Sequence, residues 1–173
     1  MADRMIEASA RPTVLQTAGM LVAIIVAVAI YATLCSAVSV ALIHGGFLFL
    51  FYWAGMRAAA RAELVPSLIG ALGGTGLAWL VIVLPGQMGA GGYAIIGVAV
   101  LAAIFMMIRG HCPLLINNAF MLYLTVFTIP GAVAPGHYPQ VVASVLIAGG
   151  LSFIAMAVGQ KLAARGGSVP EVG

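Results

Sequence analysis

Polar side chains of several chemical types are concentrated in one stretch of the sequence, which begins at Arg109. Arg109 offers a cation, His111 an imidazole and Cys112 a thiol, and the adjacent amides of Asn117 and Asn118 follow. An imidazole can exchange protons, and an amide offers donors and an acceptor to a neutral polar solute. These residues are therefore the first candidates for a binding site.

The two amides continue into a segment that also contains Thr125 and Thr128. In a helix, Asn118, Thr125 and Thr128 share one face because their spacings are close to whole turns. We predict that this face, together with Asn117, is the polar wall of a solute path. The sequence leaves open the alternative that these side chains form hydrogen bonds between helices, which is a common use of Asn and Thr.

Charged and titratable residues add three candidates to the path. We predict that His44, His111 and Arg109 line it. The alternative for His44 is a bond to a backbone carbonyl, and the alternative for Arg109 is a role in fixing membrane orientation. His111 and Cys112 have no further ligands at the spacing that a metal site needs. Because the sequence contains no HExxH, GxSxG or paired-carboxylate pattern, we predict neither an enzyme nor a cofactor.

The composition predicts that these residues belong to a membrane protein. Charged residues make up 6% of the sequence, hydrophobic residues 64%, and the mean hydropathy is +1.19. A soluble domain needs more surface charge than this, and such long apolar runs indicate membrane spans. The net charge of +3 forms no basic stripe, which excludes a nucleic-acid partner. We therefore predict the lipid bilayer as the partner.

Six transmembrane helices are predicted from the apolar runs and the turn-forming residues between them. The first run is long enough for two spans, and Pro66 and Pro113 suit the first turns of later helices. The fold class is thus an all-α integral membrane protein. Its single six-helix domain covers residues 14–160, between polar tails at 1–13 and 161–173. The apolar runs are 14–56, 64–84, 93–108, 113–129 and 140–160.

The first apolar run must contain a turn, and two positions suit it. A turn at 35–36 gives two ordinary helices, whereas a turn at 44–46 gives a second helix that crosses about half of the membrane. We favour the first, with Gly45 and Gly46 as a weak point inside or at the start of the second helix, because glycine loosens helices. Residues 85–92 are rich in glycine and are predicted as the turn between the third and fourth spans.

The basic residues predict the orientation of the domain. With the N-terminus inside, all seven Lys and Arg residues lie on the cytoplasmic side, and no outward connector contains one. This is the distribution that membrane proteins show. We therefore predict that both termini face the cytoplasm. The seven are Arg4, Arg11, Arg57, Arg61, Arg109, Lys161 and Arg165.

The chain divides into spans one to three and spans four to six, which have opposite orientations because three is odd. The second span of each half is interrupted, at 44–46 in one half and at 110–113 in the other. Paired interruptions of this kind indicate the binding site of a transporter that is built from inverted halves. We predict a 3+3 inverted arrangement with a broken second helix in each half.

Small residues predict where the helices pack closely. Gly70 and Gly74 suit a close helix crossing in the third span. Ser144, Ala148 and Ser152 recur at helical spacing on one face of the sixth span. For that face we favour helix packing over a pore lining.

Three features of the spans are similar to those of a known family. They are the second span ending near Ala54 and Gly55, the glycine-rich stretch at 69–74, and Pro113 at the start of the fifth span. With these features, residues 17–161 resemble a small family of bacterial inner-membrane proteins of unknown function, typified by the enterobacterial protein YcdZ. The resemblance implies the bacterial inner membrane as the location. More remotely, the order of spans is similar to the six-helix halves of fusaric-acid-resistance-type exporters, and the short polar span to half of a urea-transporter-like fold.

We predict a channel or transporter that passes a small, mostly neutral polar solute and that assembles as a homo-oligomer. No Asp or Glu lies inside a predicted span, although a proton- or sodium-coupled carrier usually has one. Two alternatives remain open. One is an exporter of small organic acids, in which Arg109 and the histidines attract the anion. The other is an accessory or assembly subunit without a path of its own.

Overall fold

A computed structural model of the chain describes residues 13–166, and within this range it contains helices and no strand. This confirms the predicted all-α class. The predicted N-terminal tail lies almost wholly outside the described residues, and the sixth helix continues into the predicted C-terminal tail. The helices are α1 Val14–Ala37, α2 His44–Leu50, the π-helix Phe51–Met56, α3 Arg61–Met88, α4 Ala90–Ile108, α5 Asn118–Phe127, the 3-10 helix Pro135–His137 and α6 Tyr138–Gly166.

Four helices, α1, α3, α4 and α6, are long and apolar enough to cross a membrane. The other two are short. α5 has 10 residues, which corresponds to about 15 Å, and α2 has 7 residues before the π-helix adds 6. A hydrocarbon core is about 30 Å thick, so α2 and α5 are half-length helices. The chain has the helices of a membrane protein, but two of the six predicted spans are not full-length helices.

The first apolar run combines both of the predicted turns. α1 continues to Ala37, residues 38–43 are unwound, and α2 begins at His44. The turn at 35–36 is therefore correct for the end of the first helix, within the usual uncertainty of helix ends. Gly45 and Gly46 lie in the first turn of α2, as predicted, but the second helix is short, as the alternative predicted.

The turn predicted at 85–92 lies within this stretch, but it is much shorter than predicted. These residues are helical except at Gly89, where α3 ends and α4 begins. Gly89 has a φ of +57°, which favours glycine, and its N–H donates to the carbonyl of Pro85 at 2.9 Å. The other glycines stay helical because a main chain in lipid finds no water to replace its own hydrogen bonds.

The fourth helix ends at a glycine, and this end shapes the segment that follows. Gly110 has a φ of +64°, and its N–H donates to Met107 while the N–H of His111 donates to Met106. These two bonds form a Schellman motif, which satisfies the last carbonyls of α4. The predicted interruption at 110–113 is therefore the end of α4 together with the unwound entry to α5.

The fifth helix begins at Asn118 rather than at Pro113. The side chain of Asn117 accepts hydrogen bonds from the N–H groups of Ala119 and Phe120, at 3.0 and 3.2 Å. An Asn cap satisfies donors that a helix start leaves free, whereas a proline suits a first turn but satisfies none of them. The cap therefore sets the start of α5, and the prediction from Pro113 was wrong.

The long helices α3 and α6 pack against each other in the centre and run antiparallel. Leu68 lies against Gly149, whereas Thr75, further along α3, lies beside Val142, which is earlier on α6. α4 packs on α3, and α1 packs on α6. The outer helices α1 and α4 leave most of their apolar side chains exposed.

Each short helix packs along a long helix of the other half of the chain. α2 lies on α6, where Gln140 accepts from the N–H of Ala41 at 3.2 Å and Ser144 accepts from the N–H of Gly46 at 3.1 Å. Residue numbers rise together in both contacts, so the two helices are parallel. The face of α6 formed by Ser144, Ala148 and Ser152 is buried, which confirms its predicted role in packing.

α5 lies on α3 in the same manner. A Cβ added at Gly70 would overlap the amide of Asn117, and one added at Gly74 would overlap the carbonyl of Phe120. These two helices are also parallel, and α5 approaches the main chain of α3 closely because both glycines lack a side chain. The predicted close crossing at Gly70 and Gly74 is confirmed.

The charged residues collect at one end of the bundle. α3 begins there and α4 and α6 end there, and the guanidinium of Arg61 lies within 3.0 Å of the amide of Gln160. We call this the charged end. The opposite, uncharged end contains the end of α1, the start of α2 and the loop before α6. The charged residues with described side chains are Arg57, Arg61, Glu63, Arg109 and Lys161.

Candidate functional site

A cavity of about 520 Å³ opens at the charged end of the bundle. Its walls come from the π-helix, the connector to α3, the first turns of α3 and the unwound entry to α5. The apolar part of the wall includes Pro66, Met107 and Leu114. A cavity with apolar walls and a few convergent polar groups is the usual form of a small-molecule site. The polar lining residues are Tyr52, Arg57, Glu63, Asn117 and Asn118.

Asn117 holds two helices together at the inner wall of the cavity. Its amide N–H donates to the carbonyl of Pro66 on α3 at 2.8 Å and to that of Pro113 at 3.1 Å. Its carbonyl oxygen caps α5, so both ends of the amide are bonded within the protein. This favours the interhelical hydrogen bond over the solute contact for Asn117.

Asn118 differs from its neighbour although both lie at the start of α5. Its side chain is exposed, lines the cavity and forms no hydrogen bond among the described residues. The donors and acceptor of the amide are therefore free for a molecule in the cavity. Of the two adjacent amides, Asn118 is the one that can bind a solute.

The rim of the cavity contains an ion pair. Arg57 donates to Glu63 through two nitrogens, at 2.6 and 3.0 Å. The hydrogen bond to the Glu63 carboxylate raises the pKa of Arg57, so the guanidinium stays charged and paired. A two-point Arg–carboxylate contact fixes the geometry of both groups. The pair therefore adds polarity to the rim without adding net charge.

The connector beneath this ion pair has a strained main chain. Ala58 and Ala59 have φ values of +51° and +52°, and a left-handed conformation costs a residue with a Cβ about 1–2 kcal/mol. The indole N–H of Trp53 donates to the carbonyl of Ala60 at 3.0 Å and holds the far end of the connector. Such strain persists only where surrounding contacts determine the conformation, and here it fixes one wall of the cavity.

Comparison with known proteins gives no match. This holds for protein-family models, for curated proteins and for solved structures. The resemblance to the YcdZ family thus stays a prediction, and the residues of the cavity must be interpreted from their own chemistry.

Two predicted site residues lie at the charged end but outside the cavity wall. Arg109 and His111 are exposed on either side of Gly110, and only this glycine lines the cavity. The helix end at Gly110 directs the chain past the opening. The structure therefore does not bring Arg109 or His111 to the amide of Asn118.

The other three predicted residues lie towards the uncharged end. The His44 ring packs on Phe127, with 5.6 Å between the ring centroids. The hydroxyl of Thr128 donates back to Leu124 at 2.8 Å, and Thr125 is exposed. None of them lines the cavity, so of the predicted polar wall only Asn117 and Asn118 lie there, and only Asn118 has a free amide.

Sequence reasoning missed the contribution of tyrosines. Tyr52 is not among the predicted site residues, yet it lines the cavity. Tyr31 and Tyr123 are almost fully buried, and their hydroxyls bond to backbone carbonyls of the entry to α2. A tyrosine in the middle of an apolar span was the available signal, because a hydroxyl at that depth must find a partner.

Proposed function

We propose that this protein is a channel or transporter that passes a small, mostly neutral polar solute across the bacterial inner membrane. The observation that supports this most directly is the free amide of Asn118 in the wall of the cavity at the charged end. Because the amide is exposed to the cavity, water or a polar solute there can form the hydrogen bonds that the described residues do not.

The charges around the cavity favour a neutral solute over an organic acid. Arg57 is the one Lys or Arg among its described lining residues, and Glu63 already pairs with it. An anion would have to displace the carboxylate from a two-point contact. Arg109, which the acid-exporter alternative requires, lies outside the wall.

The charged end is proposed to face the cytoplasm, because basic residues follow cytoplasmic connectors. Two full spans and one half-length helix with its unwound entry then form each half of a six-segment domain. The contacts support inverted halves: α2 packs on α6 as α5 packs on α3, and α1 packs on α6 as α4 packs on α3. If α1, α2 and α3 are matched with α4, α5 and α6, each of these contacts in one half has its counterpart in the other. Inverted halves of this kind are found in transporters with discontinuous helices.

The orientation predicts opposite labelling at the two ends. An Ala134→Cys variant places an exposed thiol at the uncharged end, and native Cys112 is exposed at the charged end. In intact cells, a membrane-impermeant thiol reagent should modify position 134 and leave Cys112 unmodified. Labelling of Cys112 without labelling of position 134 would reverse the proposed orientation.

The exposed apolar faces of α1 and α4 are proposed to contact lipid and, in a homo-oligomer, a second copy of the chain. α1 packs on α6 and leaves Leu21, Ile25 and other large side chains about half exposed. In water such a surface would aggregate, whereas in a bilayer it is the ordinary outer face of a span.

The solute path is tested by Asn118→Leu. Leucine keeps the approximate size of the side chain and removes the free amide from the cavity. Because an unmet hydrogen bond costs about 1–3 kcal/mol, solute flux should fall by about tenfold to a hundredfold. The measurement is stopped-flow light scattering of proteoliposomes in urea, acetamide or glycerol, normalised to folded protein.

The matched control is Thr125→Val, which makes a similar polar-to-apolar change on the same helix but outside the cavity. It should transport like the unmodified protein. Equal flux in Asn118→Leu and Thr125→Val would remove Asn118 from the path. Absence of flux for every solute, with folded protein in the vesicles, would favour the accessory-subunit alternative.

A further inference from the structure

A second cavity, of about 420 Å³, opens at the uncharged end. It lies between the last turns of α1 and the unwound segment 38–43. The hydroxyls of Ser36 and Ser39 form no hydrogen bond of their own among the described residues, and both serines are exposed. The cavity therefore offers free polar groups, as the first one does. Its lining residues are Ala32, Ser36, Ser39, Val40, Ala41 and Ile43.

The two cavities occupy corresponding places in the two halves of the chain. The wall of the first includes the end of α4 and the unwound entry to α5, and the wall of the second consists of the end of α1 and the unwound entry to α2. Because these entries lie at opposite ends of the bundle, the cavities open in opposite directions. A path across the membrane needs one opening at each side.

A pair of buried tyrosines bonds to the main chain at the start of α2. The hydroxyl of Tyr31 donates to the carbonyl of Ile43 at 2.6 Å, and that of Tyr123 donates to the carbonyl of Gly45 at 2.5 Å. Both side chains are buried, with 1% and 0% exposure. Ile43 is also a wall of the second cavity, so the same segment forms the wall and accepts the bond.

We propose that the second cavity is the outer half of the solute path, and that the hydroxyls of Tyr31 and Tyr123 close it towards the interior. This inference rests on the proposed transport function. The closing bonds are made to the N-cap carbonyl of α2 at Ile43 and to its first turn at Gly45, so loss of both hydroxyls would release the start of α2 together with the unwound segment before it. The main chain of this segment would then bond to the water or polar solute that enters, which non-helical main chain at membrane depth requires.

The reactivity of native Cys35 can be used to measure whether this barrier is closed. Cys35 has 0% exposure and lies one helical turn after Tyr31, between Ala32 and Ser36 of the second cavity. When the tyrosine bonds are intact, the thiol is shielded. When the segment moves away, the thiol faces the opening.

The test removes both hydroxyls, in a Tyr31→Phe, Tyr123→Phe variant, and follows Cys35 in intact cells with a membrane-impermeant methanethiosulfonate. Loss of two hydrogen bonds inside a membrane protein should raise the equilibrium constant for opening of the segment by roughly tenfold. Cys35 should therefore react about tenfold faster than in the unmodified protein, and the single Tyr31→Phe variant should lie between them.

The matched control is Tyr138→Phe. It removes another buried tyrosine hydroxyl, one that donates to Phe127 at 2.6 Å, and it leaves the second cavity unchanged. Cys35 should stay slow to react in this variant. If Cys35 reacts as fast in Tyr138→Phe as in the double variant, the protein has loosened generally and the barrier proposal is overturned. The proposal is also overturned if Cys35 stays unreactive in both the single and the double variant.

These labelling results can be distinguished from failure of the transport function. Cys35 labelling requires no solute, whereas transport is judged by the flux of the Asn118→Leu variant. Reaction of Cys112 with the impermeant reagent would show that the orientation is wrong. A reactive Cys35 without flux would support the tyrosine barrier, but it would remove the transport proposal and with it the role of the second cavity in a solute path.

Discussion

Gly74→Leu is expected to remove most of the folded protein. A Cβ at this position would overlap the carbonyl of Phe120 on α5, and backbone cannot move aside as a flexible side chain can. Overpacking of this kind costs about 3 kcal/mol, which corresponds to an apparent melting temperature lower by roughly 10 °C. Size-exclusion chromatography with a thermal ramp in detergent measures both the yield and the shift.

The control for this substitution lies on the same helix. Gly76 is exposed and has nothing within 4 Å of an added Cβ, so Gly76→Leu adds the same side chain on an open face. Its melting temperature should remain close to that of the unmodified protein. If the two leucine variants are equally stable, the close packing of α5 on α3 through Gly74 is not present.

The long helices could be predicted because they depend on the chain alone. Hydropathy and length locate α1, α3, α4 and α6, and the basic residues mark their ends. Gly70 and Gly74 were also predictable as a close crossing, because small residues at helical spacing have few other uses in a membrane. These features can be predicted without knowing which helices contact each other.

The starts of the short helices could not be decided from the sequence, because contacts from other helices determine where they begin. The unwound segment before α2 is held by Tyr31 and by Gln140, which lie on α1 and α6. The hydropathy of this run is continuous, so nothing in it marks the unwound stretch. At 85–92 the glycines predicted more unwound chain than the structure contains, because only Gly89 in this stretch has a positive φ.

The candidate site was predicted in part. Asn117 and Asn118 are adjacent, and their residue type alone does not separate a helix cap from a free amide. The distinction arises from the start of α5, which directs Asn117 towards Pro66 and leaves Asn118 in the cavity. The pairing of Arg57 with Glu63 likewise depends on the strained connector, so the sequence indicated only that Arg57 is a topology signal.

Asn117→Ala is the second substitution with a large expected effect. It removes the cap from the N–H groups of Ala119 and Phe120 and the bond to the carbonyl of Pro66 on α3. Loss of a cap costs about 1 kcal/mol, and donors left unbonded in a buried site cost about 1–3 kcal/mol more. We expect a loss of roughly 3 kcal/mol in the free energy of unfolding, measured by denaturant titration in mixed micelles.

Two further variants separate the cap from the bridge between helices. Asn117→Ser keeps a good capping oxygen but is too short to reach Pro66, so it should lose about 1 kcal/mol, consistent with one interhelical bond. Asn118→Ala should change stability by less than about 0.5 kcal/mol, as expected for a side chain without a partner. If Asn117→Ala and Asn118→Ala were equally stable, Asn117 would not hold α5 on α3. If Asn118→Ala were the less stable of the two, its amide would have a structural partner and would not be free for a solute.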